Sequence, residues 1–176
     1  MMARAVNGRV LRKPVPQQDP RQPEIISRSV DNFREACQLF DSPVEFLEVP
    51  FEDDDATLPA HLFLPKDSPK GDSRGKIPVA VQVQGYDTTK EECYHFTAAG
   101  ALPWGYAVLI FDAPGQSIVA RREIARREKH QLPLRVDLDV VIKAVLDGLW
   151  AHAASSPTCR CLDLEQVALL VNPMSA

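Results

Sequence analysis

The sequence predicts an α/β fold, with an opening antiparallel hairpin followed by parallel strands joined by crossover helices. Three observations predict it. Two stretches of alternating apolar residues, 44–51 and 58–64, flank the polar run Glu52-Asp53-Asp54-Asp55. The stretch 106–111 is almost continuously apolar, the pattern of a strand buried on both faces of a parallel sheet. Helical spacing recurs between strands, most clearly in Leu138, Val141, Ile142, Val145, Leu146, Leu149 and Trp150.

Taken in order, residues 1–23 carry Pro14, Pro16, Pro20 and Pro23 and are expected to be an irregular lead. From 24 to 40, Ile25, Ile26, Val30, Phe33, Ala36, Cys37 and Phe40 follow helical spacing, and Pro43 is expected to end that helix. The two strands of the hairpin follow, with a turn at 52–55. That aspartate trio lacks the glycine and distal glutamate of a calcium loop and reads as a solvated turn. Residues 65–76 form a hydrophilic loop. In the strand 77–83, Val79, Val81 and Val83 point one way. Gln82 and Gln84 point the other, which is unusual for a strand covered on both sides. A helix is expected over 88–101, with Thr88-x-x-Glu91 and Thr89-x-x-Glu92 as overlapping capping boxes. The basic stretch 120–129 reads as a solvated helical face. Asp137 is the expected N-cap of the next helix, and 166–170 the final strand.

Composition narrows the function. The 176 residues suit one domain or most of one, at 45% hydrophobic and 25% charged. A net charge of −4 and a pI near 5.6 give no electrostatic case for nucleic acid. No apolar run is long enough to span a bilayer. The N-terminus bears Arg4, Arg9, Arg12 and Lys13 without the apolar stretch of a secretory signal, and lacks the Ser-rich pattern of a transit peptide. Cys37, Cys93, Cys159 and Cys161 read as free thiols; Cys159-x-Cys161 has neither the two-residue spacer nor the second ligand pair of a zinc site. A cytoplasmic chain with no metal and no cofactor is expected.

Two strand-end motifs carry chemistry. Gln84-Gly85-Tyr86-Asp87 lies between a strand and a helix. A glycine there lets the backbone turn and aim an amide at developing negative charge; Tyr86 N–H is the candidate donor. The bland alternative is an ordinary strand-end turn. The second motif is Phe111-Asp112-Ala113-Pro114-Gly115-Gln116-Ser117.

These motifs combine into a resemblance. Arg28-Ser29-Val30-Asp31-Asn32-Phe33-Arg34-Glu35-Ala36, then the hairpin, then 84–92, then 104–116 and Leu132-Pro133-Leu134-Arg135-Val136-Asp137 resemble one family over about 24–170. It is the α/β-hydrolases typified by the fungal yellowish-green pigment hydrolase, which shortens polyketides, and by bacterial 2,6-dihydroxypseudooxynicotine hydrolase. The resemblance implies the N-terminal half of an α/β-hydrolase fold, truncated at the strand that leads into the nucleophile elbow. It divides the chain into the lead 1–23, a remnant of the helical cap region at 24–43, and a partial hydrolase domain at 44–176. It implies a parent activity of Ser-Asp-His cleavage of a C–C bond next to a carbonyl, or of an ester, in a polyketide-like small molecule. Gly85 and Tyr86 then stand at the oxyanion loop, with Gln84 replacing the first glycine of the family's pair. The loop Asp112-x-Pro114-Gly115 resembles the family's D-x-P-G-x-G-x-S, with the second glycine read as deleted and the loop shifted and loosened.

By the same resemblance, Val171 stands at the first glycine of the G-x-S-x-G elbow, Pro173 at the nucleophile, and Met174 at the second oxyanion position. Ser175 is two positions late and Ser117 is expected in a surface loop. His61, His95, His130 and His152 all precede the position a catalytic histidine takes in this family, and read as surface or packing residues. No catalytic residue is intact, and the chain is expected to be inactive. The resemblance fails within one residue of Leu170, and Val171-Asn172 is encoded GTN-AAY, which begins like a splice donor. A retained intron is therefore expected, with removal restoring the elbow. The alternatives are a non-catalytic ligand- or partner-binding protein derived from a hydrolase, and a product that does not fold stably. The helix face from Leu138 to Trp150 is expected to be less covered than in a complete hydrolase, and self-association through the uncovered sheet is expected with it.

Overall fold

In a computed structural model the chain is described over residues 21–66, 75–85, 88–120 and 135–171, apart from the side chains of 22 and 53–55. The expected basic face at 120–129 therefore lies, from residue 121 on, outside the described residues, as do Tyr86, His130, Pro173, Met174 and Ser175.

Helix α1 (Arg21–Cys37) comes first. It starts three residues earlier than the apolar spacing implied, so the irregular lead does not extend to residue 23. It also stops well before Pro43; Gln38, Leu39 and Phe40 donate their N–H groups back into its last turn. Strands β1 (Val44–Phe51) and β2 (Asp53–Phe63) form the hairpin. The turn is tighter than the expected 52–55 loop. Glu52 alone takes a left-handed conformation at φ 57°, and the register slips between Pro50 and Phe51. That bulge lets β2 begin at Asp53. Strand β3 (Ile77–Val83) is followed by the helix α2 (Lys90–Cys93). The helical path continues through a π turn at Tyr94–Ala98, then α3 (Ala99–Ala101) and a 3₁₀ turn at Leu102–Trp104. Gly105, at φ 81°, closes it in the left-handed conformation that glycine adopts without strain. Strand β4 (Ala107–Phe111), helix α4 (Leu138–Ser155) and strand β5 (Leu162–Val171) complete the order.

The five strands lie in the order β1-β2-β4-β3-β5. β1 pairs with β2 and β2 with β4 antiparallel; β3 pairs with β4 and β5 in parallel. This is the open sheet with a hairpin on one side that the sequence predicted. Helices cover both faces. On one face Leu62, Val79, Val81, Leu109 and Phe111 pack with Val141, Val145 and Leu149 of α4. On the other, Phe63, Ala80, Val108 and Ile110 pack with Phe33 and Cys37 of α1 and with Cys93, Ala98 and Leu102. The alternation along β4, Val108 and Ile110 one way and Leu109 and Phe111 the other, is the two-residue period of a strand buried on both sides.

One expectation for α4 fails. Asp137 holds the N-cap position but makes no capping bond. Its carboxylate instead accepts from the Arg135 guanidinium, whose Nε lies 2.8 Å from Oδ1. On the face from Leu138 to Trp150, Val141, Val145 and Leu149 are fully buried, Leu138, Ile142 and Leu146 are half-buried, and Trp150 is 41% exposed. The helix lies close on β1 because Gly148 offers no side chain; a Cβ there would stand 2.8 Å from Val49 Cγ1. Apolar surface also stays open on β5, at Leu169, Leu170 and Val171; this strand is longer than the expected 166–170 and, among the described residues, pairs on one side only.

Candidate functional site

The carboxyl ends of β3, β4 and β5 lie along one edge of the sheet. In open α/β sheets this edge is where ligands bind. β3 and β5 are in register with Val83 beside Val171, so Gln84-Gly85 leaves the sheet beside the point where β5 ends. Thr88 anchors that loop: its Oγ1 donates to the Gly85 carbonyl at 3.0 Å. Of the two overlapping capping boxes, Thr89-x-x-Glu92 forms. The Glu92 N–H donates to Thr89 Oγ1 at 3.2 Å, and the Thr89 N–H donates to Glu92 Oε2 at 3.1 Å.

Beneath the loop lies a buried polar cluster that the sequence reading missed. Lys90, Asp112, Glu91, Gln84 and Gln116 are all buried. Asp112 Oδ2 accepts from Lys90 Nζ at 2.8 Å, and its Oδ1 accepts from the Lys90 N–H at 3.1 Å and from Gln84 Nε2 at 2.5 Å. Lys90 Nζ also lies 2.6 Å from Glu91 Oε1. Burial pulls the Lys90 pKa down, but the charges and hydrogen bonds of Asp112 and Glu91 outweigh it and raise it above the ordinary lysine value. The two glutamines of β3 are thereby explained. Gln84 belongs to this cluster, and Gln82 accepts a bond from Thr97 Oγ1 at 2.8 Å. The one available signal was that Gln84 and Asp112 both directly follow apolar strands, at the edge where function gathers.

The loop after β4 corrects the sequence reading twice. Ser117 is not on the surface; it is 3% exposed. Nor is the loop loosened by a deletion. Gln116 Oε1 accepts from the Ala113 N–H at 3.0 Å, and Gln116 Nε2 donates to the Gln84 carbonyl at 3.4 Å, tying the β4 loop to the β3 loop. Ser117 takes φ 41°, the conformation a glycine adopts freely. It stands where the second glycine of D-x-P-G-x-G falls, so that glycine is replaced rather than deleted. The Ser117 Oγ has no hydrogen-bond partner in its buried position. Ser117→Gly is therefore expected to stabilise the chain by about 1 kcal/mol, by relieving a left-handed Cβ and removing an orphaned hydroxyl. Urea denaturation of both proteins checks it.

Of the described histidines, His61 and His152 pack within the fold and His95 lies on the surface. His61 is fully buried on β2, stacked on Phe33 at 5.5 Å with an interplanar angle of 3°. Neither ring nitrogen has a hydrogen-bond partner. Burial, reinforced by the Lys90 charge, holds its pKa well below the ordinary value. A histidine kept neutral in the fold contributes stability that is complete above its unfolded pKa of about 6.5 and is lost as pH falls below it. Thermal melts between pH 7.5 and 5.5 are expected to show a decline that His61→Phe reduces. His95 is exposed on the π turn. His152, at the end of α4, contacts Glu45 of β1. Ser156 Oγ donates to Glu45 Oε1 at 3.2 Å, and Cys159 lies beside them. Burial pushes the Glu45 carboxyl up, but the bonds from His152 and Ser156 prevail and hold it below the usual value; burial pushes the Cys159 thiol up to about 11.

Among the described residues no Ser-His-Asp triad is assembled. A cavity of about 350 Å³ lies at the opposite edge, before β4, against Pro65, Lys66, Tyr94, Leu102 and Gly105, and no histidine lines it. No described helix is long and apolar enough to cross a membrane.

Comparison with known proteins places this arrangement. The sheet and its two helical layers are the N-terminal portion of an α/β-hydrolase fold. The crystal structure of 2,6-dihydroxy-pseudo-oxynicotine hydrolase matches with a TM-score of 0.66 at 21% identity, covering 96% of this chain and 40% of that one. The structure of AbyA5 matches with a TM-score of 0.62 at 18% identity, covering 97% and 42%. No protein-family model matches. In sequence, the chain is 44% identical over 153 residues to the hydrolase LUC6 of Fusarium sp, covering 85% of this chain and 33% of that protein. It is 40% identical over 151 residues to the 20-hydroxy-prefusarin hydrolase FUS2 of Gibberella moniliformis, covering 86% and 33%. The chain thus resembles fungal α/β-hydrolases. It spans about a third of the length of the curated relatives it matches.

Proposed function

We propose that this chain builds the oxyanion-loop half of a serine hydrolase of fungal secondary metabolism, and that it does not itself carry the nucleophile, acid and base. The whole enzyme's reaction is cleavage of a C–C bond beside a carbonyl, or of an ester, in a polyketide-like small molecule. Gly85 with Tyr86 is the oxyanion loop. Pro173 stands at the nucleophile position and Met174 at the second oxyanion position. The supporting observation is the register of β3 and β5, with Val83 beside Val171, so that whatever follows β5 emerges next to Gly85. Such a juxtaposition is what an acyl-transfer site needs, a nucleophile within reach of a fixed amide donor.

The test is a chimera. Residues 1–171 are joined to the part of the Fusarium hydrolase beyond the matched region, and hydrolysis of an activated ester is measured. The chimera is expected to be active, and Gly85→Pro to lower kcat on the order of 100-fold while the fold persists. An active chimera indifferent to Gly85→Pro would refute the oxyanion assignment.

The open apolar edge favours a second reading, self-association of the isolated chain. Leu169, Leu170 and Val171 expose apolar surface on a strand with one free side, which is a template for strand pairing. Sedimentation should show dimers or larger species that Leu170→Lys disperses; a monomer at high concentration refutes it. We place the chain in the cytoplasm, a reading supported by four cysteines that are all unpaired.

A further inference from the structure

We propose that Glu45, His152 and Cys159 form a binding site for one zinc-class divalent cation, which fastens the edge strand β1 to the end of α4. The three residues come from three separate elements: β1, the last turn of α4 and the 3₁₀ turn Pro157–Cys159. Each presents one ligand atom, and these atoms all lie within 4.8 Å of one another. The donors are a carboxylate oxygen, an imidazole nitrogen and a sulfur. A thiolate with an imidazole selects zinc over magnesium or calcium, which take oxygen ligands. Three protein ligands leave the fourth tetrahedral position for water. Access fits as well, because Cys159 is buried at 1% exposure while the His152 and Glu45 side chains are 28% and 22% exposed, so an ion enters from solvent and meets the sulfur last.

In the metal-free arrangement the side chains contact one another directly. Glu45 accepts from His152 and Ser156, and the Cys159 thiol lies against it. Binding replaces those contacts. The Cys159 S–H bond breaks, its proton goes to solvent, and the sulfur's electron pair forms the S–metal bond. The location sets the ion apart from the Gly85 loop. Glu45 lies near the start of β1 and Cys159 just before β5 begins, at the edge of the sheet opposite Gly85. An ion there would close the rim of the α4 layer and would not touch an acyl-transfer site.

The experiment uses the full 176-residue chain, stripped with a chelator and titrated with cobalt(II) and with zinc(II). Cobalt is expected to bind one equivalent and to give a thiolate-to-cobalt charge-transfer band with intense tetrahedral d–d bands. Zinc is expected to displace it and to raise the Tm, with proton release measured in weakly buffered solution. Cys159→Ser should abolish the charge-transfer band. His152→Ala, at a half-exposed position that tolerates change, should weaken binding on the order of 100-fold or more. Cys161→Ser should change nothing. The proposal is overturned if the stripped wild-type chain takes up no stoichiometric cobalt. It is equally overturned if the band survives Cys159→Ser, if Cys161→Ser removes it, or if His152→Ala binds as the wild type does. Should Cys159→Ser not fold, the wild-type and His152→Ala titrations decide.

Discussion

Lys90→Met is expected to cost about 3–5 kcal/mol, enough to unfold a domain of ordinary stability. Lys90 is fully buried and is the cation of a cluster whose other charged members are Asp112 and Glu91. Removing it leaves two carboxylates in the interior, with Asp112 retaining only the Lys90 N–H and the Gln84 amide. An uncompensated buried charge is costlier than the ion pair was valuable, because the pair had already met its desolvation cost. The control is Lys90→Met with Glu91→Gln and Asp112→Asn, which removes all three charges and is expected to recover much of the loss. Guanidinium unfolding followed by far-ultraviolet circular dichroism measures both. A single variant within 1 kcal/mol of wild type would show that the cluster is not holding the β3 and β4 loops together.

Phe33→Ala is expected to cost about 3–5 kcal/mol. Phe33 is the ring through which α1 reaches the sheet. It stacks on His61, meets Phe63 edge-on at 6.4 Å and Tyr94 at 5.9 Å, and packs with Phe40 at 6.1 Å. Truncation opens a cavity beside a histidine whose nitrogens have no partner, so water entering there should also weaken the pH dependence described above. Unfolding and the pH series of the variant test both effects together. If α1 were a dispensable cap, the variant would melt as the wild type does.

The parts legible in the sequence are those where one periodicity governs. The alternation of β1 and β2, the apolar run of β4 and the helical stripe of α4 each follow from a face that must be buried. Boundaries set by single residues were not legible. The tight turn at Glu52 depends on a bulge at Phe51, and the N-cap role of Asp137 is lost because Arg135 takes its carboxylate. The candidate site divides in the same way. Gly85 and the Asp112 loop were found because glycine and proline mark strand ends. The burial of Lys90 was missed because a lysine in a helix's first turn reads as solvated, and only the fold reveals that Asp112, 22 residues on, meets it. The second glycine was misread for a related reason. A left-handed backbone is a property of φ, which Ser117 adopts without announcing it in its side chain. Glu45 and Cys159 are more than 100 residues apart, beyond any ligand spacing that a sequence displays.

The oxyanion-loop portion of a serine hydrolase proposed for these 176 residues brings no nucleophile with it. The most direct measurement is incubation of the purified chain with a fluorophosphonate probe, followed by intact mass and peptide mapping. No adduct is expected, and no turnover of an activated ester above the buffer rate. Stoichiometric labelling at Ser117 or Ser175 would contradict it.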